Sequence, residues 1–443
     1  MSDAVSRDVT YARVIAIALP VVLSNAASPL QGAIDTAIIG NLGSEIYLAG
    51  VTLGASAITL MLAIFNFLQF GCGALSAQAL GAGDRRRVIN VLARGLILAG
   101  LIGLCLVAAQ RLLAAGAMSL FEGSAEAEGL ATTYFAIRIW AAPAELGAFA
   151  ILGWFAGQEL TRRLFELQIV VSVTNIVLNL IFVLGLGMDV DGVALGTLIA
   201  AWCGFGWGLW RVRQRIGALM PDWRPERDRL SNRAELLTLM RLNRDIFIRT
   251  MLLIASFTYM TRLGSLQGDT VLAANGILMQ LFHIATYGLD GFAIAVESLV
   301  GQAVGARDRH FLRRAVVVST ISAYALSVGF AVLLFALEDP LVTLFTNVEE
   351  VRAVTHQYYF WAALLPLVGV GAFQLDGIFV GATEGPAMRN AMIVSGGIFL
   401  ALGGYALDLW ANHGVWAAIW GFLILRAVTL LAQYPALERR VGR

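Results

Sequence analysis

Residues 77–85 read Ala-Gln-Ala-Leu-Gly-Ala-Gly-Asp-Arg, and residues 301–309 read Gly-Gln-Ala-Val-Gly-Ala-Arg-Asp-Arg. An offset of 224 residues (77 to 301) relates the two. The same offset pairs Gly40 with Gly264, Leu48 with Leu272, Ala49 with Ala273 and Gly157 with Gly381. A period this long means two copies of one structural unit rather than a solenoid. Each copy of the motif lies between two long apolar stretches, so what the stretches are decides the fold.

The 443 residues are 58% hydrophobic and only 14% charged, and the mean hydropathy is +0.76. Average soluble domains are about 45–50% apolar and about 25% charged, so this is not a soluble globular chain. A membrane helix needs about 20 apolar residues. Twelve such stretches can be marked: 13–38, 47–71, 91–110, 131–155, 164–184, 192–211, 245–263, 270–303, 315–336, 353–380, 391–408 and 414–433. The expected fold is an all-α polytopic membrane protein, with twelve transmembrane helices in two pseudo-symmetric six-helix lobes around a central cavity. The longest polar stretch, 211–244, contains Pro221 and Pro225 and divides an amino-terminal lobe (1–210) from a carboxy-terminal lobe (245–443). Six spans per half give both halves the same orientation, the parallel-repeat arrangement of many transporters.

Orientation follows from the connections, because arginine collects on the cytoplasmic side. Alternate connections carry Arg85 to Arg87, Arg162 and Arg163, the run from Arg211 to Arg244, Arg307 to Arg314, Arg389, and Arg439 to Arg443. The others are acidic or neutral, with Glu45, Glu122, Glu126, Glu128, Asp189, Asp191, Asp269, Glu338, Asp339, Glu349 and Glu350. The alternation puts both termini in the cytoplasm, in a multi-pass protein of the cytoplasmic (inner) membrane.

All 31 basic residues are arginine, since the chain has no lysine. A Gly-x-x-x-x-Gly-Lys phosphate loop is therefore impossible, so ATP is not a partner. The net charge of +1 argues against nucleic acid. Cys72, Cys105 and Cys203 stand apart in no metal or disulfide spacing. No His-Glu-x-x-His or Gly-x-Ser-x-Gly motif marks an intramembrane enzyme. The expected catalytic, metal and cofactor assignments are all none.

What remains is the polar content of the spans. An ionised group at bilayer depth costs at least about 2.5–3.5 kcal/mol and marks an ion or substrate pathway by default. Asp35 in span one lies 22 residues beyond Arg13, which at about 1.5 Å per residue places it in the outer half of the membrane. The plainer alternative is an interfacial carboxylate facing outside water. In span five, Asn175 and Asn179 share a helical face, and span six adds Thr197. Together with Asp35 they could hold a proton network or a weakly coordinated cation, or they could serve only as polar contacts between helices. Span eight carries Asn275, Gln280, His283, Asp290 and Glu297, and span ten Asp376. These are candidates for a substrate cavity or for coupling in the carboxy-terminal lobe. Glu297 and Asp376 fall toward the cytoplasmic end, where solvation or pairing with loop arginines is the competing reading, and His283 reads equally as a packing residue. The position equivalent to Asp290 is Asn66, so the halves carry their acids at different places.

The doubled Gln-Ala-x-Gly-Ala-x-Asp-Arg motif at 78–85 and 302–309 resembles that of the multidrug and toxic compound extrusion (MATE) family. The run Leu289-Asp-Gly-Phe-Ala-Ile-Ala-Val-Glu297 resembles its DNA-damage-inducible protein F (DinF) branch, as do Ile34-Asp-Thr-Ala-Ile-Ile-Gly40 and Asp376-Gly-Ile-Phe-Val-Gly-Ala-Thr383. The resemblance covers essentially the whole chain. It implies a two-lobed antiporter that exports organic compounds on inward H⁺ or Na⁺ flow, with Asp35 at the family's coupling position and Pro20 at the hinge of span one. It departs from the pattern at Asn179, where many relatives have an acid; an amide cannot release a proton near neutral pH. The partners expected are a small organic, cationic or amphipathic substrate and the lipid bilayer, with the chain acting as a monomer. A lipid-linked oligosaccharide flippase of the same superfamily is the alternative, but it typically has a cationic cavity, whereas these candidates are acidic or neutral.

Overall fold

A computed structural model describes residues 8–40, 45–119, 124–223 and 232–442. Glu122, Arg443, the linker residues 224–231 and the side chain of Glu45 lie outside the described residues. Among the described residues, eleven helical runs are long and apolar enough to cross a membrane. The first six are α1 (Tyr11–Gly40), α2 (Ile46–Gly81), α3 (Arg85–Ala108), α4 (Ala125–Gly157), α5 (Thr161–Gly185) and α6 (Val190–Leu219). The others are α7 (Arg233–Ser265), α8 (Asp269–Gly305), α9 (Arg309–Ala336), α10 (Glu349–Gly381) and α11 (Gly385–Leu431), followed by a short α12 (Tyr434–Val441). The described residues contain no strand, as expected where every backbone group must find its partner within the segment.

Eleven runs agree with twelve membrane passes because α11 is bent. Trp410 (φ −136°, ψ 19°) and Ala411 (φ 49°, ψ −136°) leave helical geometry between the stretches 391–408 and 414–433. A positive φ is uncommon for a residue with a side chain, so the corner must be held from outside. Asn275 of α8 does this: its amide exchanges hydrogen bonds of 2.8 and 2.9 Å with Asn412, and the Trp416 indole donates to its carbonyl at 2.9 Å. At Gly414 a Cβ would lie 1.8 Å from the Ala406 carbonyl oxygen, so only glycine allows the chain to fold back this closely.

The doubled motif is a helix corner. Gly83 and Arg307 take positive φ (73° and 53°). In both copies the following Asp donates its N–H five residues back, Asp84 to Ala79 at 2.9 Å and Asp308 to Ala303 at 3.0 Å. This is the closing bond of a Schellman motif. The same Asp then caps the next helix, its carboxylate accepting from the N–H of Arg87 or Phe311 at 2.9 Å. Such a cap contributes about 0.5–2 kcal/mol. The corner after α4, with Glu159 at φ 60°, recurs after α10 with Thr383 at φ 58°.

Helix packing repeats as closely as the corners. On α4, a Cβ at Gly153 would lie 1.9 Å from the Gln69 carbonyl oxygen, and one at Gly157 would lie 2.2 Å from that of Gly73. On α10, a Cβ at Gly377 would lie 2.5 Å from the Ala293 carbonyl oxygen, and one at Gly381 would lie 2.3 Å from that of Glu297. Every member of this second set is its counterpart in the first plus 224. Helices in lipid associate through such small-residue contacts, because lipid supplies no hydrophobic drive between them.

The chain forms two compact units, one of residues 23–79 and 84–237, the other of 1–22, 80–83 and 238–443. α1 therefore begins in one unit and ends in the other. The core of the larger-numbered unit gathers Phe282, Tyr359, Trp416 and Phe422. Beside α1 in the other unit, Ile38, Tyr134, Val183 and Val190 pack together. Large apolar side chains such as Leu104, Val332 and Tyr405 are more than half exposed, the surface that a bilayer covers.

Candidate functional site

In the unit of residues 23–79 and 84–237, the carboxy-terminal part of α1 presents Asp35 to α5. The Asn179 amide donates to Asp35 Oδ1 at 2.7 Å and, more weakly, to Asn175 Oδ1 at 3.4 Å. Asn175 in turn donates to Thr197 Oγ1 at 2.9 Å, and the Thr197 hydroxyl donates to the Val193 carbonyl at 2.8 Å. Both asparagines are fully buried. The spacing of four places them on one face of α5, and two local features admit them. A Cβ on Gly196 of α6 would lie 2.0 Å from Asn179 Oδ1, so glycine there makes room for the amide. The helix also changes to π geometry over Leu180–Gly185, immediately after Asn179; π-turns are frequent at functional sites. The four residues expected to meet, Asp35, Asn175, Asn179 and Thr197, form one chain of hydrogen bonds.

Sequence reasoning passed over two residues here. Arg138 and Glu145 of α4 form an ion pair at 2.5 Å, with side chains 11% and 20% exposed. The Tyr134 hydroxyl is hydrogen-bonded to the same guanidinium, and the charge of Arg138 acts on Asp35. The signal was present, since an Arg and a Glu seven residues apart inside an apolar stretch share a helical face.

The second unit holds a different cluster. Asp376 Oδ2 on α10 accepts from both Arg249 of α7 and Arg426 of α11. The three residues are 7%, 8% and 2% exposed. Asp290 and Glu297 of α8 act electrostatically on Arg249, with Glu297 buried and Asp290 half-buried. The expected alternative for Asp376, pairing with loop arginines, is replaced by pairing with arginines inside the spans. The two guanidiniums and three carboxyls sum to −1 when all are ionised. Unpaired burial of any of them would cost several kcal/mol. Gln374 lies fully buried two residues before Asp376.

The remaining candidates are elsewhere. Asn275 spends its amide on Asn412 and Trp416 at the bend of α11. Gln280 and His283 are exposed on α8, and His283 lies against the rings of Phe257 and Phe282 at 6.4 and 6.1 Å. Pro20 sits within the continuous helix Tyr11–Gly40, two residues before the boundary between the units.

With this geometry in place, comparisons with known proteins agree on the family. The MatE profile matches residues 20–181 and again 246–404, once in each half. DNA damage-inducible protein F of Escherichia coli (strain K12) is 35% identical over 421 residues, 94% of this chain and 90% of that protein. Two solved structures share the fold at a TM-score of 0.85. One is the Vibrio cholerae MATE transporter VcmN in its bent form, at 17% identity over 98% of each chain. The other is a MOP superfamily transporter from Pyrococcus furiosus, at 19% identity over 97% of this chain and 96% of that one.

Proposed function

The chain belongs to the MatE family, and from that premise we propose that it is a secondary antiporter exporting organic cationic or amphipathic compounds on the inward flow of H⁺ or Na⁺. The observation that carries this reading is the Asn179–Asp35 hydrogen bond at 2.7 Å, a carboxylate in a span held by buried amides. A coupling group must exchange a cation while its surroundings rearrange, and Asp35 is joined to α5 and α6 through a continuous hydrogen-bond chain. Gain of a proton or ion at Asp35 changes which atoms Asn179 can bond, and through it Asn175 and Thr197. α1 then bends near Pro20, where the backbone already lacks one donor, and releases substrate outward.

The acids Asp290, Glu297 and Asp376 support cationic substrates in preference to an anionic pyrophosphate-linked lipid, because Arg249 and Arg426 already have carboxyl partners. The alternation of arginine-rich and acidic connections supports the cytoplasmic (inner) membrane with both termini cytoplasmic.

The test is ethidium efflux in proteoliposomes under imposed pH and sodium jumps, comparing wild type with Asp35→Asn. The variant keeps the shape of the side chain and loses the exchangeable charge. Gradient-driven export should fall at least tenfold, with ethidium binding retained. Full coupled export by Asp35→Asn refutes the assignment.

A further inference from the structure

We propose that a groove between the short helix Gln110–Met118 and the start of α4 binds one phosphatidylethanolamine molecule of the bilayer. Its phosphate sits on Arg111, its ammonium on Glu128, and one acyl chain fills the trough below. The groove lies wholly within the unit of residues 23–79 and 84–237, and neither Asp35 nor its partners line it. Its volume is about 710 Å³, inside the range of roughly 300–1,000 Å³ typical of small-molecule sites.

The sequence explains why the space is open. On α4, Ala125, Gly129, Thr132 and Ala136 recur at intervals of three or four and share one face. Ala114 and Ala115 of the short helix stand opposite. Side chains this short leave the gap between the two helices unfilled. A Cβ added at Gly129 meets nothing within 4 Å.

Depth gives the groove a polar and an apolar end. α3 runs 24 residues from Arg85 to Ala108, about 36 Å at about 1.5 Å per residue. That exceeds a hydrocarbon core of about 30 Å, so the short helix that follows lies at headgroup level. α4 then returns into the bilayer from Ala125, with Glu128 about 5 Å along it, Thr132 about 10 Å and Ala136 about 16 Å. Arg111 and Glu128 therefore mark the headgroup end, and Phe135 and Ala136 the hydrocarbon end. A phospholipid has the same gradient along its length. Flanking surface is apolar: Leu112, beside Arg111, is 77% exposed. The orientation proposed above makes this the outer leaflet.

Charge decides among lipids. The groove carries one basic and one acidic side chain, Arg111 and Glu128. Among the described residues the Arg111 guanidinium has no hydrogen-bond or ion-pair partner. A guanidinium matches phosphate oxygens two at a time. The Glu128 carboxylate accepts from an ammonium N–H. Thr132 donates to the Glu128 carbonyl at 2.8 Å, which leaves its lone pairs for the same ammonium. Phosphatidylglycerol brings no cation to Glu128 and sets its phosphate against that carboxylate. Phosphatidylcholine brings a cation with no N–H to donate.

The test is native mass spectrometry of the full chain in detergent micelles. Palmitoyl-oleoyl phosphatidylethanolamine, phosphatidylcholine or phosphatidylglycerol is added at equal concentration. Wild type should hold one molecule of the ethanolamine lipid with a Kd at least fivefold below those of the other two. Gly129→Leu lays a side chain along the trough where space is open and substitutes a better helix former. It should keep the wild-type Tm and weaken that lipid at least tenfold. Arg111→Gln should weaken all three lipids, whereas Glu128→Gln should weaken only the ethanolamine lipid, to the level of the choline one. Equal affinity of wild type for the three lipids, or a preference for phosphatidylglycerol, overturns the proposal. So does unchanged binding by folded Gly129→Leu. If Gly129→Leu loses stability, the two charge variants decide: an unaltered order of lipids in both overturns the proposal. Lipid binding involves no transport, so a chain that holds the lipid but fails the export assay refutes the antiporter reading alone.

Discussion

Replacing Asp376 by Asn removes the carboxylate that two buried guanidiniums share. Arg249 keeps Asp290 and Glu297 within electrostatic reach. Among the described residues, Arg426, 2% exposed, keeps only the repulsion of Arg249. One charge is therefore stranded rather than two, and breaking one buried pair costs about 3–5 kcal/mol. At roughly 2–4 °C per kcal/mol for a unit of about 200 residues, the apparent Tm in detergent should fall by roughly 6–20 °C. Adding Arg426→Met to Asp376→Asn removes the stranded charge and should restore about half of the loss or more. Such a departure from additivity is what residues in one network show. An exposed pair serves as the control: Arg440 and Glu384 meet at 2.7 Å with side chains 59% and 24% exposed, and breaking it should cost about 0–1 kcal/mol. The assay is thermal unfolding of five purified proteins at one detergent concentration, with wild type and the single variant Arg426→Met included. A fall of less than about 2 °C for Asp376→Asn, or strict additivity in the double variant, refutes the shared-carboxylate account.

Three further outcomes are expected. Asp290→Asn should slow ethidium export about tenfold without lowering Tm, and an unchanged rate returns Asp290 to a packing role. Gly157→Ala and Gly381→Ala each drive a Cβ to 2.2 or 2.3 Å from a carbonyl oxygen of the facing helix; each should cost about 1–3 kcal/mol in the same thermal assay. A large loss at one position and none at the other contradicts their equivalence. In a cysteine-free background, an impermeant maleimide applied to intact cells should label a cysteine at Glu349 and not one at Asp222, and the reverse pattern overturns the topology.

The repeat and the spans were legible because each is a local property. A bilayer demands long apolar runs, and a helix satisfies its backbone within the run, so composition alone sets the element type. Even the corners follow from a few neighbouring residues, since Asp84 and Asp308 cap the helices they immediately precede. Periodicity also placed Asn175 and Asn179 on one face, and the spacing of four was enough to make them a pair.

Tertiary structure decided which faces meet. Asp35 finds Asn179 at a separation of 144 residues, Asn275 finds Asn412 at 137, and Arg249 finds Asp376 at 127. Those meetings depend on the depth of each helix and its rotation about its axis, and the close approach at Gly157 and Gly381 fixes both. The scaffold repeats at 224 residues, but the charges do not. Ala362 and Gly369 stand where Arg138 and Glu145 would recur, and Asn25 and Trp202 stand where Arg249 and Arg426 would. Sequence therefore determined two like lobes, because apolar length and turn chemistry act within one segment. Only the packed structure shows that one lobe surrounds Asp35 with amides and a single ion pair while the other locks Asp376 between two arginines. A charge buried in a span is settled by whatever partner three-dimensional packing brings within reach.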